Sequence, residues 1–92
     1  MIKSFKCKHT KSLFEDNVTK RFISIAKVAR MRLLSLSIAT VIDDLKSPPG
    51  NKLEALKGDR EGQYSIRVNQ QWRICFQWYG GNAYHVEIVD YH

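Results

Sequence analysis

The sequence has few of the features that mark disulfide-stabilised or membrane-spanning proteins. Of its 92 residues only Cys7 and Cys75 are cysteines, so at most one disulfide can form. No segment approaches the roughly 20 consecutive apolar residues of a transmembrane helix, because serine and threonine interrupt even the best stretch, Leu33 to Ile42. Residues 1–8 are charged throughout and lack the apolar run of a secretory signal. We therefore predict a cytoplasmic chain with no membrane partner.

Several kinds of enzymatic site also lack their signatures. The three histidines are scattered, there is no Cys-x-x-Cys pair, and the adjacent Asp43 and Asp44 have no third ligand in register. The segment Pro48 to Lys52 does not match a glycine-rich phosphate loop. No Gly-x-Ser-x-Gly stretch indicates acyl transfer. We therefore predict neither a metal site nor a cofactor.

Acidic residues are scarce in the first third of the chain. Residues 1–36 carry nine basic and two acidic side chains, whereas residues 37–92 carry six and seven. The net charge of +6 is therefore concentrated at one end and indicates a polyanionic target. Attraction to anions is expected from the first third, and any greater selectivity from the remainder.

The length and the periodicity predict one α+β domain spanning residues 1–92. We expect an opening strand over residues 2–7, then a brief helix capped by Thr10 or Ser12 and ending near Glu15. After a polar hinge comes the strongest helical pattern, and Ser37 is expected to cap a further helix from Ile38 to Leu45. The core stripe of the long helix comprises Phe22, Ile25, Ala26, Ala29, Leu33 and Leu36.

From residue 53 onward, every second residue is large and apolar, which predicts an antiparallel meander after the helix-breaking segment 47–51. Strands are expected over 64–68, 72–78 and 83–89, with turns at Asn69-Gln70 and at 80–82. Tyr84, Val86 and Ile88 are predicted to share one face of the last strand. The opposite, open face is predicted to present Ser65, Arg67, Gln71, Arg73, Gln77, His85 and Glu87.

A second apolar side of the long helix carries Ile23, Met31 and Leu34. In the interpretation that we favour, the first short helix covers it. In the alternative, this side receives a partner protein.

Cations, a histidine and a carboxylate could converge on the open face. The loop 56–62 supplies Lys57 and Arg60, β-alternation supplies Arg73, and the final residues are Asp90, Tyr91 and His92. Metal-free RNA cleavage requires a base for the 2′-hydroxyl, positive charge for the phosphorane and an acid for the 5′-oxygen. Arginine and lysine could hold the phosphate charge, an imidazole could transfer a proton near neutral pH, and a tyrosine could stack on a base.

Several segments resemble the HigB-type toxins of bacterial toxin–antitoxin modules, in the RelE/ParE superfamily. They are residues 1–5, 53–62, 64–68, 71–76 and the ending Val89-Asp90-Tyr91-His92. Residues 47–51 and 54–56 are similar to the GraT-like branch. The resemblance implies a microbial-RNase-like fold with two to three N-terminal helices on a curved antiparallel sheet, and cleavage of messenger RNA on the ribosome.

The resemblance also implies residue roles and partners. It assigns catalysis to Lys57, Arg73, Asp90, Tyr91 and His92; where some HigB toxins have histidine this sequence has Glu54, so their proton-transfer arrangement is not carried over. It implies a HigA-type helix-turn-helix antitoxin, through which alone operator DNA is contacted. Contacts to the ribosome and RNA are predicted for Lys3, Lys6, Lys8, Lys11, Lys20, Arg21, Arg60 and Arg67.

Two other functions stay open at this point. A non-enzymatic ParE-type toxin that inhibits DNA gyrase would share the fold and the charge, although it would not need the histidine ending. A plain RNA-binding module would bind naked RNA with a steep salt dependence and leave translation intact.

Overall fold

A computed structural model describes residues 1–17 and 19–90 and has the predicted α+β architecture. Two helices, α1 (Lys8–Phe14) and α2 (Ala26–Ile38), precede an antiparallel sheet of strands β1 (Glu54–Ala55), β2 (Gln63–Arg67), β3 (Trp72–Tyr79) and β4 (Asn82–Asp90). The strand order is β1-β2-β3-β4, so each strand pairs with its neighbour in the chain. Within the described ranges, no helix combines the length and the apolar character needed to cross a membrane.

The core lies between α2 and the inner face of the sheet. All six residues of the predicted helical stripe are buried, and they share one cluster with residues of β2, β3 and β4 that include Ile66, Ile74 and Val86. The Phe22 ring packs edge-on against Trp72 with centroids 5.6 Å apart. The predicted burial of this stripe is therefore confirmed. The helix itself is shorter than predicted, because Phe22 lies in a separate 3₁₀ turn, Lys20–Phe22, and Ile25 precedes the first residue of α2.

The second apolar side of α2 faces solvent. Ile23, Met31 and Leu34 are 68%, 53% and 50% exposed. The short helix α1 contacts α2 elsewhere: Arg30 donates its Nε–H to the Leu13 carbonyl oxygen at 3.1 Å. The expectation that the short helix covers these residues is therefore wrong.

The opening segment runs parallel to β4 but forms only isolated bridges. Ile2 pairs with Ala83 and Phe5 pairs with Val86, so the predicted strand over residues 2–7 is reduced to two contact points. It places the N-terminal residues along the edge of the sheet that β4 would otherwise leave open.

The predicted helix caps are wrong, because Thr10 and Ser12 lie inside α1 and Ser37 lies inside α2. The Thr10 side chain is buried, and its Oγ1 accepts the Ile88 N–H at 3.0 Å. Ser37 belongs to α2 and donates its hydroxyl to the Leu34 carbonyl oxygen at 2.7 Å. Tertiary contacts thus determined where these helices begin and end.

The predicted helix from residue 38 to 45 is also wrong, since a 3₁₀ helix occupies Ile42–Lys46. The carboxylate of Asp44 accepts the backbone N–H groups of Thr40 at 2.9 Å and Val41 at 3.3 Å. These two donors lower the pKa of Asp44. The charged carboxylate therefore fixes the turn between α2 and the following 3₁₀ helix.

The predicted meander is confirmed, with one extra residue in β4. Cys75 pairs with Glu87 and Gln77 pairs with Tyr84, so Phe76 faces the two residues 85 and 86. His85 takes up this bulge with a positive φ of 54°. Tyr84 is consequently opposite Gln77 on the open face, and its predicted place beside Val86 and Ile88 is wrong.

Candidate active site

Arg73 is anchored on the open face of the sheet. Its Nε donates to Ser65 Oγ at 2.8 Å, its Nη2 donates to the Lys52 carbonyl oxygen at 2.8 Å, and Glu54 Oε1 lies 3.9 Å from Nη2. Only 12% of the Arg73 side chain is exposed. The guanidinium is therefore oriented before any ligand arrives, which is the condition for preorganised charge stabilisation.

The Lys52 carbonyl reaches Arg73 because the preceding segment is fixed from within. Asn51 is buried, and its Nδ2 donates to the carbonyl oxygens of Leu45 at 3.1 Å and Ser47 at 3.2 Å. Pro49 begins the 3₁₀ turn Pro49–Asn51, where proline loses no hydrogen bond. The proline segment, predicted to exclude α-helix and central strand, thus directs a backbone acceptor toward the sheet.

A row of four residues crosses the open face. Glu54, Ser65, Cys75 and Glu87 are paired in register from β1 to β4. Burial raises the pKa of the Cys75 thiol from its ordinary value of 9.0, against the opposing influence of the Arg60 charge. The thiol is therefore protonated at neutral pH and is not a nucleophile there.

Arg60 reaches the other end of this row. It donates to Glu87 Oε1 at 2.9 Å and to Gln63 Oε1 at 3.1 Å. Lys6 lies 3.8 Å from the same Glu87 oxygen, whose side chain is only 15% exposed. Glu87 thus holds two cations against the sheet, and both were predicted to bind RNA or the ribosome.

Lys57 lies at the start of the loop that carries Arg60. Its exposed side chain follows β1, and its carbonyl oxygen accepts the Arg60 N–H at 3.3 Å. The loop turns through Gly58 and Gly62, whose φ angles of 65° and 92° favour glycine. Lys57 thus lies three residues beyond Glu54 in the chain, between β1 and the turn that carries Arg60.

Asp90 is the last residue of β4, and its partner in β3 is the residue before Arg73. Val89 pairs with Arg73, whereas Asp90 pairs with Trp72 and accepts a hydrogen bond from Gln71 Nε2 at 3.2 Å. The end of β4 is therefore adjacent to the Arg73 strand, but the register places Asp90 on the face of Trp72 and not on that of Arg73. The other two predicted catalytic residues, Tyr91 and His92, lie outside the described residues.

The remaining predicted RNA-binding cations are dispersed. Lys8 and Lys11 lie on α1, Lys20 and Arg21 lie in the 3₁₀ turn before α2, and all four are exposed. Lys3 is also exposed, on the opening segment. Arg67 is half-buried and donates from Nε to the Asn69 carbonyl oxygen at 3.1 Å.

Sequence reasoning assigned no role to Ser65 and Glu87, the residues that hold Arg73 and Arg60. Alternation had placed both on the open face, and this was the one available signal. Their contacts depend on strand register, and the third anchor, the Lys52 carbonyl, is a backbone atom without a sequence signature.

Comparison with known proteins identifies the family. Residues 3–92 match the family model of HigB-like toxins, described as RelE-like toxins of the type II toxin–antitoxin system HigB. The chain is 47% identical to "Endoribonuclease HigB" of Proteus vulgaris over the full length of both chains. It is 41% identical to "Toxin HigB-1" of Vibrio cholerae over 90% of each.

A solved structure supports the fold assignment independently. One chain of the "YoeB-YefM complex from Staphylococcus aureus" superposes with a TM-score of 0.56 at 18% identity, covering 100% of this chain and 98% of that one. At this identity the likeness concerns the fold alone. From the family model and the two relatives it follows that the chain belongs to the HigB-like family of RelE-like toxins from type II toxin–antitoxin systems.

Proposed function

We propose that this chain, an endoribonuclease toxin of the HigB family, cleaves messenger RNA on the ribosome and thereby inhibits translation. The observation that carries the proposal is the anchored Arg73, a nearly buried guanidinium on an otherwise open sheet face. Such a group suits a phosphodiester, because its planar donors match two phosphate oxygens.

The proposed reaction needs no metal ion. The 2′-oxygen loses its proton and attacks the adjacent phosphorus, and the bond from phosphorus to the 5′-oxygen breaks. The products are a 2′,3′-cyclic phosphate and a 5′-hydroxyl, which takes up a proton. Arg73 and Lys57 stabilise the negative charge that accumulates on the phosphorane oxygens.

Proton transfer is assigned to the final residues of the chain. The imidazole of His92 can give or take a proton near neutral pH, because the unperturbed pKa of histidine is about 6.5. Asp90 orients this imidazole or assists as a base, and Tyr91 stacks on a base of the RNA. The pairing of Val89 with Arg73 supports this assignment for the residues that follow Asp90.

Glu54 is proposed as a counter-ion of Arg73 and not as the general base. Its carboxylate is 51% exposed and lies 3.9 Å from Nη2 of Arg73. A carboxylate next to a phosphodiester is repelled by it unless a cation compensates, and Arg73 provides that compensation. Glu54→Gln is therefore expected to retain most of the cleavage activity.

As a toxin of a toxin–antitoxin system, the chain has an antitoxin partner. We propose a HigA-type helix-turn-helix antitoxin, which alone contacts operator DNA, and action in the cytoplasm where ribosomes are found. The exposed cations of the first third are proposed to contact ribosomal phosphates without sequence preference. One catalytic domain over residues 1–92 stays a prediction.

The test is to map RNA 5′ ends after brief induction of the wild type, of His92→Ala and of Arg73→Ala. Cuts within translated messages, abolished by both substitutions, would support the mechanism. Equal cleavage by wild type and His92→Ala would remove His92 from it. DNA breaks with translation intact would instead establish the gyrase-inhibiting alternative.

A further inference from the structure

The outer side of α2 carries an uninterrupted stripe that no described residue covers. We define the outer stripe as Lys27, Met31, Leu34 and Ile38, which are spaced by four, three and four residues. At 100° per residue these positions fall within an arc of about 60°, so they form one line along the helix. Met31, Leu34 and Ile38 are 53%, 50% and 77% exposed.

The spacing of the outer stripe is that of a helix-pairing seam. Alternating steps of three and four residues are the pattern by which one helix packs along another. At 1.5 Å per residue the stripe is about 16 Å long, or three helical turns. Ile23, 68% exposed, adds an apolar side chain before its N-terminal end.

Positive charge predominates around the outer stripe, where Lys20, Arg21 and Lys27 are exposed. Two further cations are already bonded: Arg30 is ion-paired with Asp16 at 3.4 Å, and Arg32 donates to the Arg67 carbonyl oxygen at 3.3 Å. A carboxylate also lies beside the stripe, that of Asp44, which borders the same cavity as Ile38. A second copy of this chain would bring the same cations into contact, and like charges across an interface are costly. An apolar seam with cationic flanks instead fits a helix with an apolar stripe and acidic flanks.

We propose that the outer stripe docks an acid-flanked amphipathic helix of the antitoxin. This inference rests on the antitoxin partner and is independent of the nuclease chemistry. The two surfaces are separate, because α2 packs on the inner face of the sheet whereas Arg73 lies on the open face. Antitoxin binding and RNA cleavage can therefore be altered one at a time.

The first test compares Leu34→Glu with Tyr79→Glu. Both place a carboxylate at an exposed apolar position, and Tyr79, 69% exposed, lies at the end of β3 with its ring against Tyr84 on the open face of the sheet. Affinity is measured by calorimetry with the antitoxin that co-purifies with tagged toxin. Losing a central apolar contact should weaken binding about 30-fold or more for Leu34→Glu and less than about threefold for Tyr79→Glu.

The second test probes the charge. Lys27→Glu should weaken antitoxin binding and reduce its dependence on salt concentration, whereas Lys8→Glu, on α1, should change neither. Thermal unfolding is measured for all four variants and should match the wild type. Cleavage by the free toxin is measured for Leu34→Glu and Tyr79→Glu, which alter no proposed RNA contact, and should also match it. If the wild type itself fails to cleave RNA, the nuclease proposal fails while these affinities still decide the docking proposal.

Photo-crosslinking of the intact complex identifies the occupant without relying on weakened binding. A benzophenone amino acid at position 34 should crosslink to a helical antitoxin peptide that contains acidic residues, and one at position 79 should not. Unchanged affinity of Leu34→Glu would overturn the proposal. So would a crosslink from position 34 to a second toxin copy, or to an antitoxin segment without acidic residues.

Discussion

The open face of the sheet and the helical first third hold their cations in different ways. On the sheet, Arg73 is 12% exposed and bonded to Ser65 and Lys52, and Arg60 is bonded to Glu87. In the first third, the exposed ammonium groups of Lys8 and Lys11 form no ion pair within the part of the chain that the structure describes.

This difference separates two uses of positive charge. Folding has already ordered the sheet cations, so a bound phosphate gains their interaction without a further loss of side-chain entropy. The exposed lysines keep their rotamer freedom and are screened by salt, which suits long-range attraction but not positioning. Substitutions in the two regions should therefore change different measured quantities.

The largest effect is expected for Arg73→Lys, which keeps the charge but loses the planar donors. An ammonium group cannot bond Ser65, Lys52 and a phosphate with the same geometry. We expect kcat for ribosome-bound messenger RNA to fall about 100-fold, as for other losses of transition-state charge stabilisation. The measurement is single-turnover cleavage on programmed ribosomes.

The matched control for this substitution is Arg67→Lys on the neighbouring strand. Arg67 pairs with Arg73 in register, but among the described residues its side chain donates to the Asn69 carbonyl oxygen and not to Ser65, Lys52 or Glu54. Its cleavage rate should stay within about threefold of wild type. Similar losses for both arginines would mean that the anchor has no special role.

A tenfold smaller effect is expected for Ser65→Ala. This substitution removes the acceptor of Arg73 Nε inside the sheet, where Ser65 is fully buried. We expect the unfolding free energy to fall by about 1–2 kcal/mol and kcat to fall about tenfold, with little change in KM. Ser37→Ala on α2 is the control. An unchanged kcat would show that Lys52 alone suffices to orient the guanidinium.

Much of the fold could be predicted from periodicity alone. The stripe from Phe22 to Leu36 and the alternation from residue 64 onward identified the core. Each helix or strand that packs on the core buries one apolar face, and the spacing of apolar residues shows which face that is. The bulge at His85 was not predictable, since an extra residue in a strand carries no marker when it is not glycine. The prediction that α1 covers the second apolar side of α2 was wrong, because the position of α1 depends on tertiary contacts.

For the candidate site, residue types were more predictable than contacts. Arg73 and Ser65 were expected on one face, but their hydrogen bond depends on the pairing of Ser65 with Cys75 in register. Thr10 and Ser37 fit the preferences for N-caps, yet Thr10 has a buried partner in β4 that no local rule contains. The grouping of Lys57 and Asp90 with Arg73 stays a prediction.

In the first third of the chain, the double variant Lys8→Gln and Lys11→Gln is expected to lower the affinity for ribosomes by a few-fold. Each phosphate contact contributes about 0.7–0.9 to the slope of log affinity against log salt concentration. Affinity for purified ribosomes should fall severalfold at low salt, while cleavage of bound messenger RNA is unchanged. Lys46→Gln, which removes a lysine paired with Asp43, is the control. An unchanged slope would mean that the two lysines serve solubility only.

The smallest expected effect is a loss of folding stability at alkaline pH caused by Cys75. Burial raises the pKa of this thiol. Well below pH 9.0 the thiol is protonated in both the folded and the unfolded chain, so it does not affect stability. As pH rises above this value the unfolded chain deprotonates first, and stability falls until the folded pKa is passed. The limit for one proton is about 1.4 kcal/mol per pH unit.

This titration tests whether the open-face row is packed as tightly as Arg73 implies. In a Cys7→Ala background, urea unfolding at pH 8 and pH 10 should show an alkaline loss of stability that Cys75→Ala removes. In the wild type, a thiol reagent should modify half-buried Cys7 at pH 8 and reach Cys75 only after unfolding. Rapid labelling of Cys75 in the folded protein would mean that the sheet opens there, and that Arg73 is held less firmly than its hydrogen bonds indicate.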